Sequence, residues 1–183
     1  MKVTQIKNFP ISDEDGRVYY IIKVETDAGI YGLGEVGIRN WGGAIGKAIE
    51  HLSEIVTGED PFSTEKLWQY MFRGGFFPAD KVYSCAISAI DIALWDIKAK
   101  ALEMPLFKLL GGPVRDKVVC YPHTQGETMA NLLDNCKRHI EDGWKFVRWH
   151  QPETGPSSVY VDNMNILEPI DSVRLAEEQI ATI

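Results

Sequence analysis

Ala93-Leu-Trp-Asp-Ile-Lys-Ala-Lys-Ala-Leu-Glu-Met-Pro-Leu-Phe-Lys-Leu-Leu-Gly-Gly112 is the stretch whose reading decides the fold. Together with the residues before it, apolar side chains recur at Ala86, Ile87, Ile90, Leu94 and Ile97. That is the three-and-four spacing of one helix face. Ala89, Ala93 and Trp95 make other faces apolar too. A helix that is apolar nearly all round is stabilised only when layers cover it on more than one side. The pattern therefore predicts a buried helix from residue 83 onward. Leu109-Leu-Gly-Gly-Pro113 follows with two strong breakers, so a first domain is expected to end there, with the boundary at residues 115/116.

Working outward toward the N-terminus, three β-rich runs appear at residues 3–11, 18–26 and 30–37. Asp27-Ala-Gly29 between the last two is a turn signal, so they read as a hairpin. Helices are expected at 44–56, stopped by Gly58, and at 63–72, where Ser63 suits an N-cap beyond Pro61. On the C-terminal side the pattern changes. Residues 118–123 read as a strand, 128–141 as a helix closed by Gly143, and 144–150 as a second strand. A long loop follows at 151–169, and another helix opens at 170. Strands alternating with helices of this length point to a parallel sheet.

Composition narrows the function classes. The net charge of −7 offers no Lys/Arg patch for nucleic acid or an anionic membrane. The three cysteines, Cys85, Cys120 and Cys136, are odd in number and form no CxxC, so neither a disulfide scaffold nor a zinc knuckle is indicated. The N-terminus lacks the apolar core of a secretory signal. The most apolar window, 86–97, contains Asp91 and Asp96 and falls short of the ~20 residues that span a bilayer. A cytoplasmic protein with no nucleic-acid or membrane partner is expected.

The segment 93–112 closely resembles the signature helix of the mandelate racemase/muconate lactonizing enzyme branch of the enolase superfamily. The resemblance implies an α+β capping domain, a three-stranded antiparallel sheet plus helices, over residues 1–115. It further implies that residues 116–183 begin a (β/α) TIM-like barrel. A complete barrel takes about 250 residues, so the barrel is expected to be truncated after two βα units. Such a fragment is expected to expose an open parallel sheet, to be insoluble or molten, and to bind no Mg2+. The family's Mg2+ ligands would be acidic residues at the ends of the third to fifth barrel strands, beyond Ile183. No metal ligand is assigned within the chain. Glu168 reads as a loop residue and Asp171 as a helix N-cap.

In βα barrels the functional groups sit at the C-terminal ends of the strands. Period-2 alternation puts Trp144, Phe146, Arg148 and His150 on one face of the second of these strands. Where the wider family has Lys-x-Lys, this chain has Arg148-Trp149-His150. That is similar to the mannonate-dehydratase-like subgroup, in which an Arg ends this strand and a Tyr follows in the next loop. Tyr160 stands in that loop, and His123, at the end of the first barrel strand, matches a substrate-binding His. Arg39 and Asn40, after the third strand, are the expected substrate contacts of the capping domain, together with the segment 73–77. Gly74-Gly75 lacks P-loop spacing and reads as a lid hinge.

Arg148 stays protonated at working pH and cannot serve as an ordinary base. Beside Tyr160 it would favour the tyrosinate, which could take the proton α to a carboxylate. His150 is a second candidate base, its reference pKa near 6.5 suiting neutral pH. Plainer roles remain open: an ion pair for Arg148, packing for His150, a hydrogen-bonded interior for His123, a solvated loop position for Tyr160. His51 and His139 fall on helices and read as surface residues. The resemblance implies a carbon–oxygen lyase, a Mg2+-dependent acid-sugar dehydratase of the mannonate, gluconate or galactonate type. Its partner would be a small-molecule sugar acid, and the full-length form a homo-oligomer. A racemase, epimerase or cycloisomerase of the same superfamily is the alternative, and a truncated non-catalytic member is the alternative of another class.

Overall fold

Alternation along residues 18–26 builds the first layer. β1 (Val3–Ser12), β2 (Val18–Thr26) and β3 (Tyr31–Val36) form an antiparallel sheet in the order β1-β2-β3. The computed structural model describes residues 1–14, 18–37, 41–149, 160–161, 166–167 and 169–182. Ile22 and Val24 of the central strand are fully buried, and Thr26 is nearly so, because period-2 spacing turns all three to one face. Pro10 sits on β1, an edge strand, where a missing N–H costs no ladder bond on the open side. The β2–β3 turn closes where Thr26 Oγ1 donates to the Ile30 carbonyl at 2.6 Å.

Against this sheet lie α1 (Gly42–Val56), α2 (Thr64–Arg73) and α3 (Lys81–Ala101), followed by the short α4 (Leu106–Leu109). α1 buries Ile45, Ala48, Ile49, Leu52 and Val56, one helical stripe. α3 is the centre of the core, burying Ala86, Ile87, Ala89, Ile90, Ala93, Leu94 and Ile97. Its start is fixed by Asp80, whose carboxylate accepts from the Tyr83 N–H at 3.0 Å. After α4, Gly111 and Gly112 take φ of 107° and 90°, a region that suits glycine, and the first unit ends at Val114. Ser63 does precede α2, but its side chain makes no capping bond. With ψ at 47° it lacks the extended backbone that brings a capping oxygen onto the helix amides.

β3 and α3 approach each other backbone against backbone. A Cβ added at Gly34 would lie 1.9 Å from the Ala89 carbonyl oxygen, and one at Gly32 equally close to that of Ala93. Only glycine lets β3 lie this near α3.

The second unit spans Arg115–Ile183. It contains β4 (His123–Thr124), α5 (Met129–Glu141), β5 (Arg148–Trp149), β6 (Tyr160–Val161), β7 (Ile166–Leu167) and α6 (Pro169–Thr182). β4 and β5 pair in parallel, as alternation of strand and helix requires. Both strands are shorter than their apolar runs. Val118, Val119 and Phe146 are exposed, so nothing described in this unit rewards extending the ladder through them. α5 is capped by Thr128, whose hydroxyl accepts from the Asn131 N–H at 3.2 Å, and it buries Leu132 and Cys136. Two expectations need correction. Within 151–169, β6 and β7 pair antiparallel, so this stretch is not wholly loop. Asp171 lies inside the first turn of α6, because the helix starts at Pro169, a residue whose fixed φ suits a first helical turn. Among the described residues, no helix is long and apolar enough to cross a membrane.

Candidate active site

The parallel ladder of the second unit positions the two strand-end residues. His123 pairs with Arg148 and Thr124 with Trp149. The Arg148 N–H donates to the Pro122 carbonyl at 3.0 Å, which locks this register. Thr124 is buried and His123 exposed, since successive side chains point to opposite faces. The His123 ring stacks on Tyr121, two residues earlier on the same face, with centroids 5.7 Å apart and planes 12° apart.

The backbones of His123 and Arg148 are brought side by side, yet their side chains line separate clefts. His123 shares a cleft of about 460 Å3 with Gln125, Asn135, Arg138, His139 and Asp142. The Asn135 amide donates to the Gln125 carbonyl at 2.7 Å and ties α5 to the β4 end. Two imidazoles, a guanidinium and amides give this cleft donors for an oxygen-rich anion, with Asp142 the one carboxylate. His139 is therefore half-buried and cleft-lining, where helix position alone had placed it on the surface. Arg148 lines a smaller cleft of about 340 Å3 with Tyr121, Phe146, Val147 and Trp149.

The other candidates are reached less fully. Tyr160 has its backbone paired with Leu167, and its side chain is outside what is described. His150, Arg39 and Asn40 lie outside the described residues. In the first unit, the segment after α2 carries Phe76 and Phe77 exposed and packed edge to face, centroids 5.0 Å apart. It borders a pocket of about 460 Å3 whose walls include His51, Tyr70, Phe77, Asp80 and Tyr83. The edge-to-face contact of His51 with Tyr83 joins α1 to α3 across 32 residues, and no local spacing announces it. No described group of three or more His, Cys, Asp or Glu residues is placed to hold a metal ion. The described residues therefore do not fit a Mg2+ site.

The N-terminal domain model of the mandelate racemase/muconate lactonizing enzyme family matches residues 10–111, more than half of the chain. The chain belongs to this family. A D-galactonate dehydratase family member from Marinomonas sp. is 37% identical over 171 residues, covering 91% of this chain and 42% of that protein. D-mannonate dehydratase from Novosphingobium aromaticivorans is 36% identical over 146 residues, covering 79% of this chain and 36% of that protein. Among solved structures, an enolase from Pantoea ananatis with D-gluconate and Mg bound superposes with a TM-score of 0.74 at 32% identity. It covers 81% of this chain, which corresponds to 36% of that one. A member of the enolase superfamily from Salmonella Typhimurium gives a TM-score of 0.78 at 27% identity over all of this chain and 51% of its own. The first unit is thus the family's capping domain, and the parallel βα elements after it are the start of the barrel domain. The chain spans about two fifths of the length of the curated relatives it matches.

Proposed function

We propose that the whole protein carrying this chain is an acid-sugar dehydratase, removing the proton α to a carboxylate and expelling the β-hydroxyl. One observation carries the reading. The 171-residue similarity to the Marinomonas galactonate dehydratase family member runs well beyond the capping domain, into the strands that bear His123 and Arg148. Mannonate, gluconate and galactonate are the substrates to test, on the names and ligand of the relatives.

The residue roles are those the resemblance to the mannonate-dehydratase-like subgroup implies, and their chemistry is consistent with it. Arg148 is a permanent cation. A phenol beside it ionises more readily, so Tyr160 becomes the base that accepts the α-proton while Arg148 holds the tyrosinate in place. The C–H electron pair forms the Cα–Cβ double bond of an enol as the β C–O bond breaks. The leaving hydroxide takes a proton from solvent to depart as water, while Tyr160 returns its own to solvent. The enol then tautomerises to a 2-keto-3-deoxy acid. His123 is the candidate for binding a substrate oxygen, and Arg39 and Asn40 are further candidate substrate contacts by resemblance. Mg2+ belongs to this proposal through the Pantoea enolase alone. A cytoplasmic setting completes the reading, supported by the free thiols of Cys85, Cys120 and Cys136, and a homo-oligomeric state belongs to the proposal through the family resemblance alone.

The test is α-deuterium exchange of the three sugar acids in D2O by the whole protein, with semicarbazide detection of the 2-keto-3-deoxy product. Exchange with product formation is expected for the parent. Tyr160→Phe should abolish exchange, Arg148→Lys should lower it, and His150→Asn should retain it. Exchange without dehydration would make the protein a racemase or epimerase. Normal exchange in Tyr160→Phe with loss in His150→Asn would move the base to histidine.

A further inference from the structure

β3 is an edge strand of the capping sheet, and the outer edge of such a strand presents unpaired N–H and C=O groups that template pairing with another chain. On this edge two of those groups are already taken. The Leu33 N–H donates to Asp96 Oδ2 at 2.9 Å. The Tyr31 carbonyl accepts from Lys100 Nζ at 2.8 Å, and the same ammonium donates to Asp96 Oδ2 at 2.7 Å. Lys100 also lies 4.5 Å from the centre of the Tyr31 ring.

The spacing explains why a helix can do this. Positions i and i+4 of a helix lie about 6 Å apart along its axis. Positions i and i+2 of a strand lie about 6.6 Å apart. α3 and β3 therefore keep step in opposite directions. Ala89 faces Gly34 and Ala93 faces Gly32, while Asp96 meets Leu33 and Lys100 meets Tyr31. A carboxylate stands where a neighbouring strand would offer a carbonyl, and an ammonium stands where it would offer an N–H.

We propose that Asp96 and Lys100 form a clasp that imitates a fourth strand and closes the outer edge of β3 against strand addition by a second copy of the chain. Neither residue has a place in the proposed reaction, and the inference stands apart from that reading. As a surface ion pair the two would contribute little. Their weight comes from the backbone groups they occupy, since a strand edge left bare is a site of self-association.

The experiment compares the whole protein with its Asp96→Ala and Asp96→Ala/Leu33→Pro variants. Amide exchange at Leu33 and sedimentation velocity over a range of concentrations are the readouts. Asp96→Ala should speed Leu33 exchange about tenfold, the loss of one charge-assisted bond, and should give larger species whose share grows with concentration. The proline variant carries no N–H at the exposed edge position and should return to the parent's assembly state. Unchanged exchange and assembly in Asp96→Ala would overturn the proposal, as would association that persists in the proline variant. If Asp96→Ala does not fold, Lys100→Met keeps the stem and loses the donor. Parent-like assembly in that variant would then overturn it.

Discussion

Replacing Gly34 by alanine tests the packing on which the capping domain depends. The new Cβ would lie 1.9 Å from the Ala89 carbonyl oxygen, 2.9 Å from its carbonyl carbon and 3.3 Å from its Cα. Carbon-to-carbonyl contacts settle at about 3.3–3.6 Å, so β3 and α3 must separate by about 1.4 Å. A gap of 0.5–1 Å already forfeits a quarter to a half of a dispersion contact. The α3 residues that lie against β3, Ala89, Ala93 and Ile97, are fully buried. The expected loss is at least about 3 kcal/mol, the upper part of the range for overpacked cores. With total stabilities of about 5–15 kcal/mol, that is a large share. The assay is urea-dependent amide exchange of peptides within α3, which reads the opening of this unit alone. Ala89→Gly should give no rescue, because the obstacle is a carbonyl and not the alanine methyl. A loss below about 1 kcal/mol, or full rescue by Ala89→Gly, would refute the close backbone approach.

Three further perturbations follow from the same structure. Thr128→Ala should lower the stability of α5 by about 1 kcal/mol, read by exchange of its first-turn amides, because the Asn131 N–H loses its acceptor. Ser63→Ala should change α2 by less than about 0.5 kcal/mol, since Ser63 makes no capping bond. Burial, and then the Glu65 carboxylate, push the Asp91 carboxyl above its ordinary pKa. A raised carboxylate pKa means the ionised form is disfavoured in the folded state. The penalty is fully present above the folded pKa and vanishes as pH falls below the unfolded value. Asp91→Asn should therefore stabilise the unit at neutral pH and lose that advantage in acid, as thermal melts across the range would show. An advantage that grows on acidification would contradict the assignment.

Much of the capping domain was legible because its signals are local. The alternation in residues 18–26 buries Ile22 and Val24, and the stripe through Ala86, Ile90, Leu94 and Ile97 is the buried face of α3. Thr128 and Gly143 bracket α5 as their residue types require. Readings failed where the deciding term was context. Ser63 takes the N-cap position of α2 as read, yet its backbone angle leaves the side chain without a capping bond. Val118 and Val119 are strong β-formers, and they extend no ladder among the described residues of their unit. At the candidate site, the sequence put His123 at the end of a strand over 118–123 and Arg148 on one face of the next, whereas the two residues open the short strands β4 and β5. Their direct pairing and their separate clefts were not legible, since register and side-chain direction depend on the partner strand.

The sequence by itself determined most helices, the three strands of the first sheet, and which family the chain enters. Periodicity, breakers and a contiguous signature are all written within a few turns of one another. Only the tertiary structure decided that Gly32 and Gly34 are there to admit the carbonyls of Ala93 and Ala89, and that Asp96 and Lys100 close the β3 edge. Leu33 and Asp96 are 63 residues apart, and no local pattern encodes a distance of 2.9 Å between them. That contact exists because a helical repeat of four and a strand repeat of two advance by nearly the same length, a match that appears only once the two elements lie side by side.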